Sequence, residues 1–179
     1  MFFKKIFVIF SIMNKKIRTV LIDDHKLLRN GLKSLFENDD NIIVVAESET
    51  GKEGVDKTLI QKPDVVIVDL GLNDMSGIDV IKTINDNLPK TKIVVLSSHD
   101  GQNEVFDALS NGANAYVLKD IEDKELLFVI KTVAKGAFYL DPKIADFAKN
   151  ILQGFKFTEQ DEGLLIKISE NERFSRKEK

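Results

Sequence analysis

The chain has 179 residues, 43% of them hydrophobic and 31% charged, which is enough for one full hydrophobic core and a small second unit. Its net charge of −3 excludes the global basic balance that advertises nucleic-acid binding, although a local basic patch is compatible with it. With no cysteine the chain has no disulfide, thiolate metal site or cysteine nucleophile, which fits a cytoplasmic location, and its two histidines are too few for a histidine-rich metal site.

In chain order, MFFKKIFVIFSIM comes first, with two lysines ahead of the apolar run Ile6 to Ile12. That run is far too short to span a bilayer. It resembles the opening of a signal peptide, but NKK follows, with no small-residue cleavage site. Residues 1–14 are therefore expected to be an extension with no membrane role, and Met13 the natural start.

Five aliphatic runs follow: RTVLID (Arg18–Asp23), IIVVAES (Ile42–Ser48), VVIVDL (Val65–Leu70), KIVVLS (Lys92–Ser97) and AYVLK (Ala115–Lys119). Each precedes a segment with helical spacing. Leu28, Leu32, Leu35 and Phe36 mark the first such segment, and Val55 and Leu59 mark the second more weakly. Ile78, Ile81 and Ile84 mark the third, and Val105, Ala108, Leu109 and Gly112 the fourth. The fifth carries Leu126, Leu127, Ile130, Val133 and Ala134, with Phe128 nearly opposite that stripe and Val129 on its flank. Strands alternating with amphipathic helices predict an α/β fold, a doubly wound five-stranded parallel sheet of flavodoxin-like order 2-1-3-4-5. The sheet domain is expected over 15–136, with a partly helical linker over 137–156.

In that order the first and third strands lie side by side, and ligands bind outside the carboxyl ends of the strands at this switch point. Asp23 and Asp24 end the first strand and Asp69 ends the third, so three carboxylates are expected in one crevice. Carboxylates crowded together repel unless a cation intervenes, and Mg²⁺ suits a few carboxylates plus water. Ser97 and Lys119 end the fourth and fifth strands on the same edge. A carboxylate nucleophile, a Mg²⁺ site, a hydroxyl and a lysine are the parts needed to form an aspartyl phosphate. Taken singly, each residue has a simpler explanation as a helix cap or a solvated charge. The combination at four strand ends carries the inference. Glu47, on the second strand, is read as solvent-facing, and His25 and His99 as peripheral.

These motifs, LIDDH, PDVVIVDLGLNDMSGIDVI, KIVVLSSHD and GANAYVLKD, resemble those of response-regulator receiver domains, the phosphoacceptor half of bacterial two-component signalling. The resemblance implies Asp69 as phosphoacceptor and Asp23, Asp24, Asp69 and the Gly71 backbone carbonyl as Mg²⁺ ligands. It also implies Ser97 and Lys119 as phosphoryl partners, and Tyr116 as an aromatic switch that turns inward when Ser97 moves. Asn73 departs from the family, standing where proline is common, and LKD replaces the commoner LKP. LKD, DDHKLLRNGLKSLFE and VAKGAFYLDPKIADF together resemble the NarL/LuxR-type subfamily, whose members usually act as transcription factors.

In that subfamily a helix-turn-helix domain follows. FTEQDEGLLIKISENE looks like its first helix, with Thr158 as N-cap, so 157–179 is expected to be the start of such a domain without its recognition helix. The expected function is a response regulator phosphorylated by a histidine kinase or phosphotransfer protein, switching a transcriptional output. DNA binding is expected only with the missing helices restored. The alternative is a stand-alone receiver acting as an interaction or phosphate-sink module. The protein is expected to be no enzyme beyond slow autodephosphorylation. A phosphatase would need a second acid where Gly71 stands. Phe128 is read either as a lone surface aromatic or as part of a homodimer face with Phe106.

Overall fold

The computed structural model describes residues 15–144. The extension 1–14 and the expected helix-turn-helix start at 157–179 lie outside the described residues, as does the linker beyond Ile144. Strands and helices alternate: β1 (Ile17–Ile22), α1 (Lys26–Glu37), β2 (Ile42–Ser48), α2 (Gly51–Gln61), β3 (Val65–Val68), α3 (Gly77–Asn87), β4 (Lys92–Ser97), α4 (Gln102–Ser110), β5 (Ala115–Leu118), α5 (Asp123–Val133) and β6 (Tyr139–Leu140).

All neighbouring strands pair in parallel, in the order β2-β1-β3-β4-β5-β6. The predicted order of the first five strands therefore holds, and a sixth strand adds to it. The sequence reading missed β6 because two residues are too few to show a periodicity. Its pairing is nonetheless specific, with Ala115 against Tyr139 and Tyr116 against Leu140.

Period-two alternation along each strand divides the core between the two faces of the sheet. Val20, Ile22, Val66, Val68 and Val95 pack with Val55 of α2, Val80, Ile81 and Ile84 of α3, and Val105, Ala108 and Leu109 of α4. Leu21, Val65, Ile67, Val94, Leu96 and Val117 pack with Leu32 and Phe36 of α1 and Leu126, Val129, Ile130 and Val133 of α5. Val129, placed on the flank of the α5 stripe by its spacing, is instead fully buried, whereas Phe128 is 57% exposed. Tyr139 closes this second layer, its hydroxyl donating to Glu125 Oε1 at 2.6 Å. Burial and that carboxylate hold its phenol well above the ordinary tyrosine value.

The loop after β3 is tied down at both ends. Ser76 caps α3 by accepting from the Ile78 amide. Asp74 reaches across to the N-terminus of α2 and accepts from the Gly51 and Lys52 amides at 2.7 and 3.0 Å. Those backbone bonds, Lys52's first, hold its carboxyl below the usual range. Gly77 opens α3 directly against the exit of β3. A Cβ there would stand 2.5 Å from both the Asp69 carbonyl oxygen and the Leu70 Cα, backbone atoms with no rotamer to escape by. Gly31, exposed on α1, has nothing within 4 Å of an added Cβ. Gly31→Ala is accordingly expected to stabilise the protein by about 0.5–1 kcal/mol. Gly77→Ala is expected to destabilise it by about 1–3 kcal/mol, as overpacking does. Urea titrations of the two variants check the contrast, and equal effects would contradict it.

Candidate functional site

The carboxyl ends of β1, β3 and β5 bring Asp23, Asp69 and Lys119 together. Strand hydrogen bonds continue just past the strand ends: the Asp69 amide donates to the Ile22 carbonyl at 2.9 Å and the Lys119 amide to the Ser97 carbonyl at 2.8 Å. Asp23 and Asp69 are buried, 3% and 4% exposed. Lys119 Nζ reaches past the end of β4 to lie 2.6 Å from Asp69 Oδ2 and 2.9 Å from Asp23 Oδ2. Burial alone would lower the Lys119 pKa. Its hydrogen bonds to Asp69 and Asp23 outweigh that, and hold the ammonium above the ordinary lysine value.

One ammonium does not balance three carboxylates. Asp24 lies beside the pair and shares its Oδ2 with the Asn73 amide. Its Oδ1 is buried, and the polar atom nearest to it is His25 Nδ1 at 2.8 Å. Crowded carboxylates repel one another, and a hard divalent cation is an ordinary partner for such a group. Oxygens of Asp23, Asp24 and Asp69, together with a ring nitrogen of His25, lie within 4.8 Å of one another. This donor set fits a divalent cation. Gly71 lies against the same group, since an added Cβ would stand 3.8 Å from Asp69 Oδ2.

A second layer adjoins the acids. Ser97, 1% exposed, accepts from the His99 amide at 3.1 Å. Tyr116 is fully buried, already turned inward, and its hydroxyl donates to the His99 carbonyl at 2.8 Å. Burial raises its phenol pKa, with the nearby Ser97 hydroxyl opposing.

Three residues in and around the site escaped the sequence reading. His25, read as peripheral, stands at its mouth. Its Nδ1 is 2.8 Å from Asp24 Oδ1, 3.3 Å from Asp23 Oδ1 and 3.8 Å from Asp69 Oδ2. His99 is also less peripheral than expected, because its backbone links Ser97 to Tyr116. Arg29 is the third. It is buried, and its Nη1 donates to the Asp23 carbonyl at 2.6 Å, fixing the peptide that carries the first two acids. The rest of its guanidinium lies 3.7 Å from Glu47 and 3.6 Å from Glu49. Glu47, read as solvent-facing, is thus partly enclosed by Arg29 and by Lys33 at 2.7 Å. One signal was available for Arg29: it falls in register with Leu32 and Phe36 on the inward stripe of α1, where a charge is out of place.

Arg29→Met is expected to cost about 1.5–3 kcal/mol, because it strands the buried Asp23 carbonyl that accepts a charged hydrogen bond. Lys33→Met, at a half-exposed pair, should cost under about 1 kcal/mol. Thermal unfolding of the two variants distinguishes a buried anchor from a surface pair.

Known proteins match the sequence and fold of the described domain. The model of the response regulator receiver domain matches residues 19–131. The nitrate/nitrite response regulator protein homolog of Haemophilus influenzae is 39% identical over 140 residues, covering 78% of this chain and 65% of that protein. The oxygen regulatory protein NreC of Staphylococcus haemolyticus is 36% identical over 128 residues, covering 71% of this chain and 59% of that protein. The chain thus spans less than two thirds of the length of the curated relatives it matches. Among solved structures, the receiver domain of the putative response regulator NarL from Mycobacterium tuberculosis superposes with a TM-score of 0.65 at 31% identity, over 68% of this chain and 98% of that one.

Proposed function

The chain belongs to the response regulator receiver domain family, in its NarL/LuxR-type branch, and we propose that it is a switch phosphorylated on Asp69. The supporting observation is the Lys119 ammonium held on Asp69 and Asp23 beside the third carboxylate, Asp24. In this reading an Asp69 oxygen attacks the phosphorus of a phosphohistidine on a partner kinase or phosphotransfer protein. A P–O bond forms, the P–N bond breaks, and the imidazole leaves with a proton. Lys119 neutralises a phosphoryl oxygen and the Ser97 hydroxyl donates to another. Asp23, Asp24, Asp69 and the Gly71 carbonyl would hold Mg²⁺, which supplies further neutralisation of the transferred group. Hydrolysis of the aspartyl phosphate is slow, and the domain is a switch, not a turnover catalyst.

Tyr116 couples the site to the outer face. It bears on the His99 carbonyl of the β4–α4 loop, the same loop whose His99 amide is bound by Ser97. A phosphoryl group that draws Ser97 toward Asp69 acts on both bonds. The output is transcriptional, and specific DNA binding requires a recognition helix C-terminal to the receiver. Phe128, 57% exposed on α5, belongs to a homodimer face that phosphorylation strengthens. Among the described residues no helix is long and apolar enough to cross a membrane, in keeping with a cytoplasmic regulator.

Asp69→Asn is expected to abolish phosphate uptake from a small phosphodonor. Asp24→Ala is expected to raise the Mg²⁺ needed by about ten-fold or more, since it removes a ligand and its charge. Labelling of Asp69→Asn at the wild-type rate would defeat the assignment. For the output face, a phosphoryl mimic with Mg²⁺ should increase the sedimentation coefficient of the wild type and leave Phe128→Glu monomeric. Identical shifts in both proteins would remove Phe128 from the switch.

A further inference from the structure

Asp23 lies just past the end of its strand, and the bond that holds its carbonyl comes from a buried charge. The pairing of β1 with β2 and β3 stops at Ile22. Beyond it, the Asp23 amide donates to the Ser48 carbonyl at 3.2 Å, and the Asp23 carboxylate accepts from the His25 amide at 2.7 Å. The Asp23 carbonyl accepts from Arg29 Nη1 at 2.6 Å. Arg29 is 8% exposed and shares the inward stripe of α1 with Leu32 and Phe36. Its Nε is buried without a hydrogen-bond partner, and its approaches to Glu47 and Glu49, at 3.7 and 3.6 Å, are longer than hydrogen bonds. What this guanidinium grips closely is the Asp23 carbonyl.

A peptide group is planar, so holding the Asp23 oxygen also sets the Asp24 N–H and the direction in which the Asp24 side chain leaves the backbone. The contacts of the Asp24 carboxylate are softer anchors. It meets the His25 ring, 67% exposed, and the exposed Asn73 amide. Exposed partners of this kind contribute little to fixing a position. On the reading of Asp69 as a phosphoacceptor that works with Mg²⁺, we propose that Arg29 is a positioning residue for phosphoryl transfer. It touches neither the cation nor the phosphoryl group. It holds the Asp23–Asp24 peptide so that both carboxylates are set for Mg²⁺ before the ion arrives, as the outer partners of metal ligands commonly do. Without that bond the ion itself must order the two acids, and the affinity for it falls. Lys119 and Ser97 act on the phosphoryl group itself, so the rate at saturating Mg²⁺ changes little.

Titration of the tag-free full chain with Mg²⁺, followed by amide NMR shifts, tests this in wild type, Arg29→Met, Arg29→Lys, Lys33→Met and Asp24→Ala. Phosphorylation of Asp69 by a small acyl phosphate is measured over the same Mg²⁺ range. Folded-state shifts give the affinity of folded molecules whatever fraction unfolds, so a loss of stability alone leaves Kd where it was. Arg29→Met should raise Kd about ten-fold or more and raise the half-saturating Mg²⁺ of phosphorylation equally, with the saturating rate within about three-fold of wild type. Arg29→Lys keeps the charge but is shorter and lacks the planar fork, and should raise Kd about three-fold. It decides the matter if the methionine variant does not fold. Lys33→Met removes a cation from Glu47 without touching the Asp23 peptide, and should stay within about two-fold of wild type. A wild-type Kd in a folded Arg29 variant, with Asp24→Ala weakened, leaves the cation site standing and removes Arg29 from it. An unchanged Kd in Asp24→Ala overturns the cation site and the role of Arg29 together.

Discussion

The carboxyl edge of the sheet is organised by one ammonium lying between two buried aspartates. Asp23 and Asp69 come from adjacent strands, and Lys119 reaches them from beyond β4. Burying a carboxylate without a partner costs several kcal/mol, so neither acid is stable there alone. Their shared lysine makes the arrangement tolerable, and it ties β1, β3 and β5 together at their ends. It does not finish the charge balance. The exposed imidazole of His25 and the amide of Asn73 each lie against one oxygen of Asp24. The acids at this edge outnumber the cations beside them, a donor set that suits a divalent cation.

The framework around this edge is built to hold it still. Arg29 fixes the Asp23 peptide from the α1 side. Gly77 lets α3 start in contact with the backbone of Asp69 and Leu70. Asp74 pins the intervening loop to α2. The backbone on either side of Asp69 is thus fixed by packing and by buried hydrogen bonds. The loop after β4 is held at the His99 amide by the Ser97 hydroxyl, at the His99 carbonyl by the Tyr116 phenol, and at the His99 ring by Glu104.

The order of β1 to β5 and the four polar strand ends could be read from the sequence because both follow from short-range pattern. Unbroken aliphatic runs ending in Asp23, Asp69, Ser97 or Lys119 announce strands and their chemistry together. What escaped depends on contacts between distant segments. β6 is two residues long and is a strand only because β5 leaves an edge open to it. His25 and Arg29 read as ordinary polar residues of a helix start, and only the packing of α1 against the sheet turns one over the acids and the other beneath them. Val129 misled for a related reason. A helical wheel assumes one contact face, but the α5 groove is deep enough to bury Val129 along with Leu126, Ile130 and Val133.

β6 also changes how the site relates to the rest of the chain. With five strands, β5 would be an edge and its outer hydrogen-bonding groups would face solvent. Instead the Asp141 amide donates to the Tyr116 carbonyl at 2.9 Å, and Asp141 Oδ2 accepts from the Leu118 amide at 3.1 Å. Lys143 pairs with Asp120, and Ile144 is fully buried in the same core as Tyr116. The residues flanking Lys119 on both sides are thus bonded to the segment 139–144, which leads out of the receiver toward the C-terminal region. The strand that carries Tyr116 and leads into Lys119 is therefore also the one bonded to the segment 139–144.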